Sequence, residues 1–190
     1  MRPRDSAKLR AFLAEHFTRA QFRLEALRAY NVETEKPKIA QFLAGAPEPD
    51  LTRMRWLEWY ADEERRGLHR QRVRVLRPPL SDYERFECEW GYVYNVPAGE
   101  DVRVLELAPD DGREVATLVD SVEDFYLVND EILVPMYYSD TGVPLGWDVI
   151  TEPETVGRYR EIVAALVAEA VPFEPWWAAH PQYHRANQPA

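Results

Sequence analysis

The stretch Arg70-Gln71-Arg72-Val73-Arg74-Val75-Leu76, stopped by Pro78-Pro79, constrains this chain more than any other. Val73 and Val75 alternate with Arg72 and Arg74, which is the period of a strand with one apolar face. Val102 and Val104 flank Arg103 in the same way within a second strand, Val102 to Leu107, after the turn signal Pro97-Ala98-Gly99. Between the strands, Tyr83, Phe86, Trp90, Val93 and Tyr94 fit a helical stripe from Ser81 to about Tyr94. Ser81-Asp82-Tyr83-Glu84 has the spacing of a capping box. Phe86, Cys88, Trp90 and Tyr92 also alternate with Glu87, Glu89 and Gly91 as a strand would, and the helix is the reading adopted. Strand, helix and strand predict a βαβ unit at the centre of the fold.

Upstream, Leu9, Phe12, Leu13, Phe17, Ala20, Leu24 and Leu27 step by threes and fours, predicting one long helix from Ser6. A short helix is expected from about Pro37, with Ile39, Phe42 and Leu43 inward and Gly45 at its end. Asp50 is placed to cap a third helix over Leu51 to Arg66, ended by Gly67. Downstream, Glu114 to Val119 reads as a short strand or extended arm. Phe125 to Val128, Ile132 to Tyr138 and Leu145 to Ile150 read as an antiparallel meander, separated by Asn129-Asp130-Glu131 and Ser139-Asp140-Thr141-Gly142. Thr151-Glu152-Pro153-Glu154 combines a capping box with a first-turn proline. It opens a helix to about Ala170 with Val156, Tyr159, Ile162, Val163, Leu166 and Val167 inward.

These elements predict an α+β fold, a mixed sheet from the central βαβ unit plus the C-terminal meander, flanked by helices. At 190 residues and 46% hydrophobic, the chain suits one core. The expected organisation is a single domain over residues 1–172, helical at residues 1–67, with an irregular tail bearing Trp, Pro and His over residues 173–190. The net charge of −10 opposes direct binding to nucleic-acid phosphates or to an anionic membrane surface. Met1-Arg2-Pro3-Arg4-Asp5 leads into a charged helix and not a signal sequence, no apolar run reaches membrane length, and a cytoplasmic location is expected. A single cysteine, Cys88, permits no internal disulfide, and Glu87 and Glu89 beside it disfavour an activated thiol.

No metal, cofactor or nucleophile constellation is legible. His180 and His184 lie four apart, but Pro181 follows the first at once and no carboxylate completes a zinc motif. The candidate ligand or partner residues are Arg72, Arg74 and Arg103, together with Trp56, Trp59, Trp90 and Tyr83. Alternation puts the arginines, with Arg70, on one sheet face if the strands are neighbours. They would then either pair with carboxylates or receive a small anionic or aromatic ligand. Trp56 and Trp59, three apart on a helix, serve a core or a binding surface. Two functions remain open. One is a non-enzymatic accessory or regulatory binding protein, a small-ligand sensor or partner of a transcription regulator. The other is a small biosynthetic enzyme with an aromatic-lined pocket and acid/base carboxylates or tyrosines. A deep pocket with convergent carboxylates and a buried histidine would favour the enzyme, and a shallow apolar patch the binder.

The segments Phe22-Arg23-Leu24-Glu25, Phe42-Leu43-Ala44-Gly45, Arg72 to Tyr83, Ala98 to Arg103 and Asp124-Phe125-Tyr126-Leu127 are similar to a family of uncharacterised actinobacterial proteins. Members are often encoded beside helix-turn-helix regulators, so the resemblance implies an accessory regulatory role with such a regulator as partner. The order of strand, helix, strand, meander and final helix also resembles half of a phospholipase D-like domain. Of that family's catalytic His, Lys and Asp only Asp130 is matched, since Glu123 and Phe125 fill the other two places, so phosphodiester chemistry is not expected.

Overall fold

The computed structural model describes residues 6–52 and 54–187; the expectations for Met1 to Asp5 and the end of the tail lie outside the described residues. Helix α1 (Ser6–His16) is shorter than its stripe suggests, because the chain extends at once into β1 (Ala20–Glu25). Pairing overrides spacing here. Strand β1 lies between two other strands, so its backbone groups are satisfied on both edges, a gain that local helical bonds would have to match. Helix α2 (Lys36–Leu43) buries Phe42 but leaves Leu43, expected inward, half exposed. Helix α3 (Arg55–Arg65) starts later than predicted: Asp50 accepts from the Thr52 N–H in a separate turn, and Leu51 is buried beside Phe42, Phe86 and Trp90.

The central unit follows as β2 (His69–Leu76), α4 (Asp82–Glu87), a π-helical turn (Cys88–Tyr92), α5 (Val93–Asn95) and β3 (Glu100–Glu106). Strands β2 and β3 pair in parallel, as the βαβ reading requires. The strand-like alternation in the connecting helix has a packing cause. Phe86 and Trp90 face one apolar cluster while Cys88 and Tyr92 face another, so the helix is buried on two sides. At its start the capping box is complete: Ser81 Oγ accepts from the Glu84 N–H and Glu84 Oε2 accepts from the Ser81 N–H at 2.6 Å. Ser81→Ala is expected to lower stability by about 1 kcal/mol, read as a fall in melting temperature of roughly 2–4 °C.

Residues 114–120 form helix α6 (Glu114–Asp120), not the short strand or extended arm expected, because Val115, Ala116 and Val119 make a short apolar stripe against the sheet. The meander is present as β4 (Phe125–Val128), β5 (Ile132–Tyr138) and β6 (Pro144–Trp147). Asn129 and Asp130 both take positive φ in its first turn, the tight connection that suits twisted strands. Helix α7 (Pro153–Glu169) buries the predicted face, but Glu152 stands at its N-cap and the Thr151 box does not form. The described part of the tail forms regular elements, not the irregular segment expected. Strand β7 (Val171–Pro172) joins the edge of β3, and α8 (Phe173–Ala179) buries Phe173 and Trp176.

The seven-stranded sheet has the order β6-β5-β4-β1-β2-β3-β7, mixed as expected. One face carries Phe22, Leu24, Val73, Val75, Leu105, Phe125 and Leu127 and is covered by α6 and α7. On the other face α1 packs over β4 and β5, and α8 with the π-helical turn packs over β2 and β3. Between those two apolar patches, at β1 and β2, the sheet presents charged side chains. No helix among the described residues is long and apolar enough to cross a membrane.

Candidate functional site

Parallel register places Arg23 beside Arg72 and Glu25 beside Arg74, while Arg70 and Arg72 lie beside Glu100 and Val102. Residues of one strand parity share a face, so this row of ions lies on the face over which α1 and α8 pack. Buried charges are tolerated only when paired and hydrogen-bonded, and these are. Arg72 donates to Glu100 Oε1 from Nε at 3.0 Å and from NH2 at 2.7 Å, and its NH1 donates to Glu25 Oε2. Arg23 pairs with the other Glu25 oxygen at 2.6 Å, and Tyr92 OH donates to Oε2 at 3.1 Å. Asn95 donates to Glu100 Oε2 at 2.8 Å and accepts from Trp56 Nε1 at 3.1 Å.

Arg74 is fully buried. Its Nε donates to Glu87 Oε2 at 3.0 Å and its NH1 to the Leu27 carbonyl at 2.7 Å, and its guanidinium lies over the Tyr30 ring. Tyr30 OH donates to Asp124, which also accepts from the Ala26 N–H at 2.8 Å. Tyr83 OH donates to Glu35 Oε2 at 2.8 Å.

Above this floor opens a cavity of about 480 Å³. Its walls are Tyr30, Tyr60, Tyr83, Tyr92, Tyr138, Phe86, Trp56 and Trp90, and its charged lining is Arg23, Arg72 and Lys38 with Glu25, Glu35 and Glu87. The π-helical turn brings three consecutive residues, Trp90, Gly91 and Tyr92, to the wall. Such widened turns recur at functional sites. No histidine lines the cavity. Among the described residues there is also no group of three or more His, Cys, Asp or Glu able to hold a metal ion.

The carboxylates differ in their electrostatics. Burial alone would raise Glu25, but Arg23, Arg72 and Arg74 outweigh it and hold its carboxyl at about 2. Burial pushes Glu87 up to about 7, with Arg74 opposing and Glu25 and Glu35 adding to the rise. Glu35 is raised by burial against the Tyr83 hydrogen bond, and Asp124 is raised by burial against the bonds from Tyr30 and Ala26. Burial also raises the Cys88 thiol, which packs in the apolar cluster between β2 and α8.

Of the residues singled out in the sequence, Arg72, Trp56, Trp90 and Tyr83 line the cavity, and Arg74 supports its floor from beneath Tyr30. Arg103 does not join them. Register pairs it with Val73, which sends it to the opposite face, where it meets Asp101 at 3.4 Å. Trp59 is half exposed, under Arg55 and away from the cavity. His180 Nδ1 donates to the Trp176 carbonyl and His184 Nε2 to the Trp177 carbonyl, and the two rings stack on Trp176 and Trp177. Asp130 sits in the turn after β4 beside Arg19. The sequence reading missed Glu25, Glu35, Glu87 and Glu100. One signal was there: Phe22-Arg23-Leu24-Glu25 alternates apolar with charged residues, the pattern of a strand whose charged face could answer the arginines of β2.

No curated protein and no solved structure matches the chain. One family does match, over residues 7–178, from α1 into α8, so part of the segment set apart as a tail falls within the match. With nearly the whole chain covered, the protein belongs to the family described as Domain of unknown function (DUF6879).

Proposed function

We propose that this chain is a non-enzymatic small-ligand-binding protein of regulatory or accessory type, with the aromatic cavity over the Arg–Glu floor as its ligand site. The observation that supports this reading is the cavity itself. Its volume of about 480 Å³ lies in the range of small-molecule sites, and aromatic walls with a few fixed polar groups are their usual lining. The rigid floor is suited to holding the site open, because each guanidinium of β2 is fixed by carboxylates from other elements. In this reading a partner protein, such as the helix-turn-helix regulator implied by the resemblance, senses the bound state. A second reading, an acid/base enzyme, has one observation in its favour: Glu87, at about 7, titrates where a general base would serve.

Gly91 provides the test. A Cβ built on it meets nothing within 4 Å, so Gly91→Leu projects a side chain at the wall without a backbone clash. Protein purified from its native host is expected to carry a small molecule, seen by native mass spectrometry, that Gly91→Leu loses while melting within about 3 °C of the parent. Equal retention by the variant, or no bound molecule in either, would count against the cavity as the site. Turnover of the retained molecule, abolished in Glu87→Gln, would select the enzyme.

A further inference from the structure

We infer that the cavity takes an organic cation, an amine on an aromatic or similarly flat body, with Glu35 as its counter-ion; this rests on the reading of the cavity as a ligand site. The charge inventory of the floor gives the sign. Arg23, Arg72 and Arg74, with Lys38 at the wall, are set against Glu25, Glu87, Glu100, Glu35 and Asp124, which leaves one carboxylate in excess. Three guanidiniums meet Glu25, Glu87 and Glu100, and among the described residues the remaining two carboxylates are held by tyrosine hydroxyls and form no ion pair. Of those two, only Glu35 lines the cavity.

Anion binding fits less well. Arg72 has its Nε, NH1 and NH2 on Glu25 and Glu100, and Arg23 is held by Glu25. Lys38 lies over the Trp56 ring at 4.6 Å, so the cation place on that aromatic face is already filled. Tyr83 remains, donating to Glu35, and an aromatic ring next to a carboxylate is a favourable setting for an ammonium group. The orphaned donor is a separate pointer to an occupant. Trp90 is 3% exposed and lines the cavity, yet its Nε1–H has no acceptor among the described residues. A buried indole N–H ordinarily finds one. An amine that also bears a hydroxyl or carbonyl oxygen would satisfy both groups.

Three probes of matched shape separate the possibilities: phenethylamine, phenethyl alcohol and hydrocinnamate, titrated into the intact protein at fixed ionic strength with ligand-observed NMR. The amine is expected to bind about tenfold tighter than the alcohol, and the acid weakest of all. In Glu35→Gln the amine should lose that advantage while the alcohol keeps its affinity. Glu35 is only partly buried, so this variant is expected to melt with the parent. If the alcohol or the acid binds as tightly as the amine, or if Glu35→Gln leaves the amine's advantage intact, the cation assignment is overturned and the cavity reading stands. If none of the three binds, both fail.

Discussion

Arg74→Ala is expected to lower the unfolding free energy by about 3–5 kcal/mol, the usual result of removing one partner of a buried ion pair. For a chain of this length that corresponds to a fall in melting temperature on the order of 10 °C. The size follows from what is left behind. Glu87 would lose the cation that opposes its rise and would be held protonated by burial, the Leu27 carbonyl would lose its donor, and the Tyr30 ring would lose the guanidinium packed on it. The decisive comparison is a paired replacement, Arg74→Met with Glu87→Leu, which removes both charges and keeps the volume. It should recover most of the loss, because exchanging a buried pair for packed apolar groups is often neutral. A thermal melt of Arg74→Ala superimposable on that of the parent would refute the structural role given to Arg74.

The second large effect concerns pH. Glu25 is held at about 2 in the folded state against an ordinary value of 4.5. A carboxyl lowered by folding contributes stability that is fully present above its unfolded value and is lost as pH falls through the folded one. The interval corresponds to about 3 kcal/mol lost on going from pH 4.5 toward 2. Glu87 works in the opposite direction. Its folded value of about 7 lies above 4.5, so its contribution is complete below 4.5 and is lost as pH rises through 7. Glu35 and Asp124, also raised, add to that alkaline loss. Chemical denaturation across pH should therefore show maximum stability on the acid side of neutrality, near about pH 5. Glu25→Gln should flatten the acid limb and Glu87→Gln the neutral limb. A maximum at or above neutral pH, unmoved by Glu87→Gln, would contradict this assignment.

Several features were legible before any coordinates, because their causes are local. Period-two alternation marked β2 and β3, turn residues marked the meander, and the serine and glutamate of the capping box marked the start of α4. Of the two fates the sequence allowed the arginines, pairing with carboxylates is the one observed: Arg72, Arg74 and Arg103 each meet a carboxylate. Strand β1 carried two competing signals, and the alternation of Phe22 to Glu25 was outweighed by a longer helical stripe. Its apolar residues happen to fall at helical spacing, and only pairing with β2 on one edge and β4 on the other makes the extended form the better one. Helix α6 and the described part of the tail are similar cases, short segments whose state is set by the surface they cover.

The site shows the same division. That arginines of β2 would need acidic partners followed from the sequence and from electrostatics. Which partners they have, and that Arg103 is not among them on that face, followed from register, which moves a side chain across the sheet with each residue of shift. Glu25, Glu87 and Glu100 come from three separate elements, and no spacing along the chain relates them. Tertiary structure alone brought them under one ring of aromatic side chains and left Glu35 facing the cavity with the Tyr83 hydroxyl on its carboxylate, because contact between distant segments is decided by packing and not by sequence period.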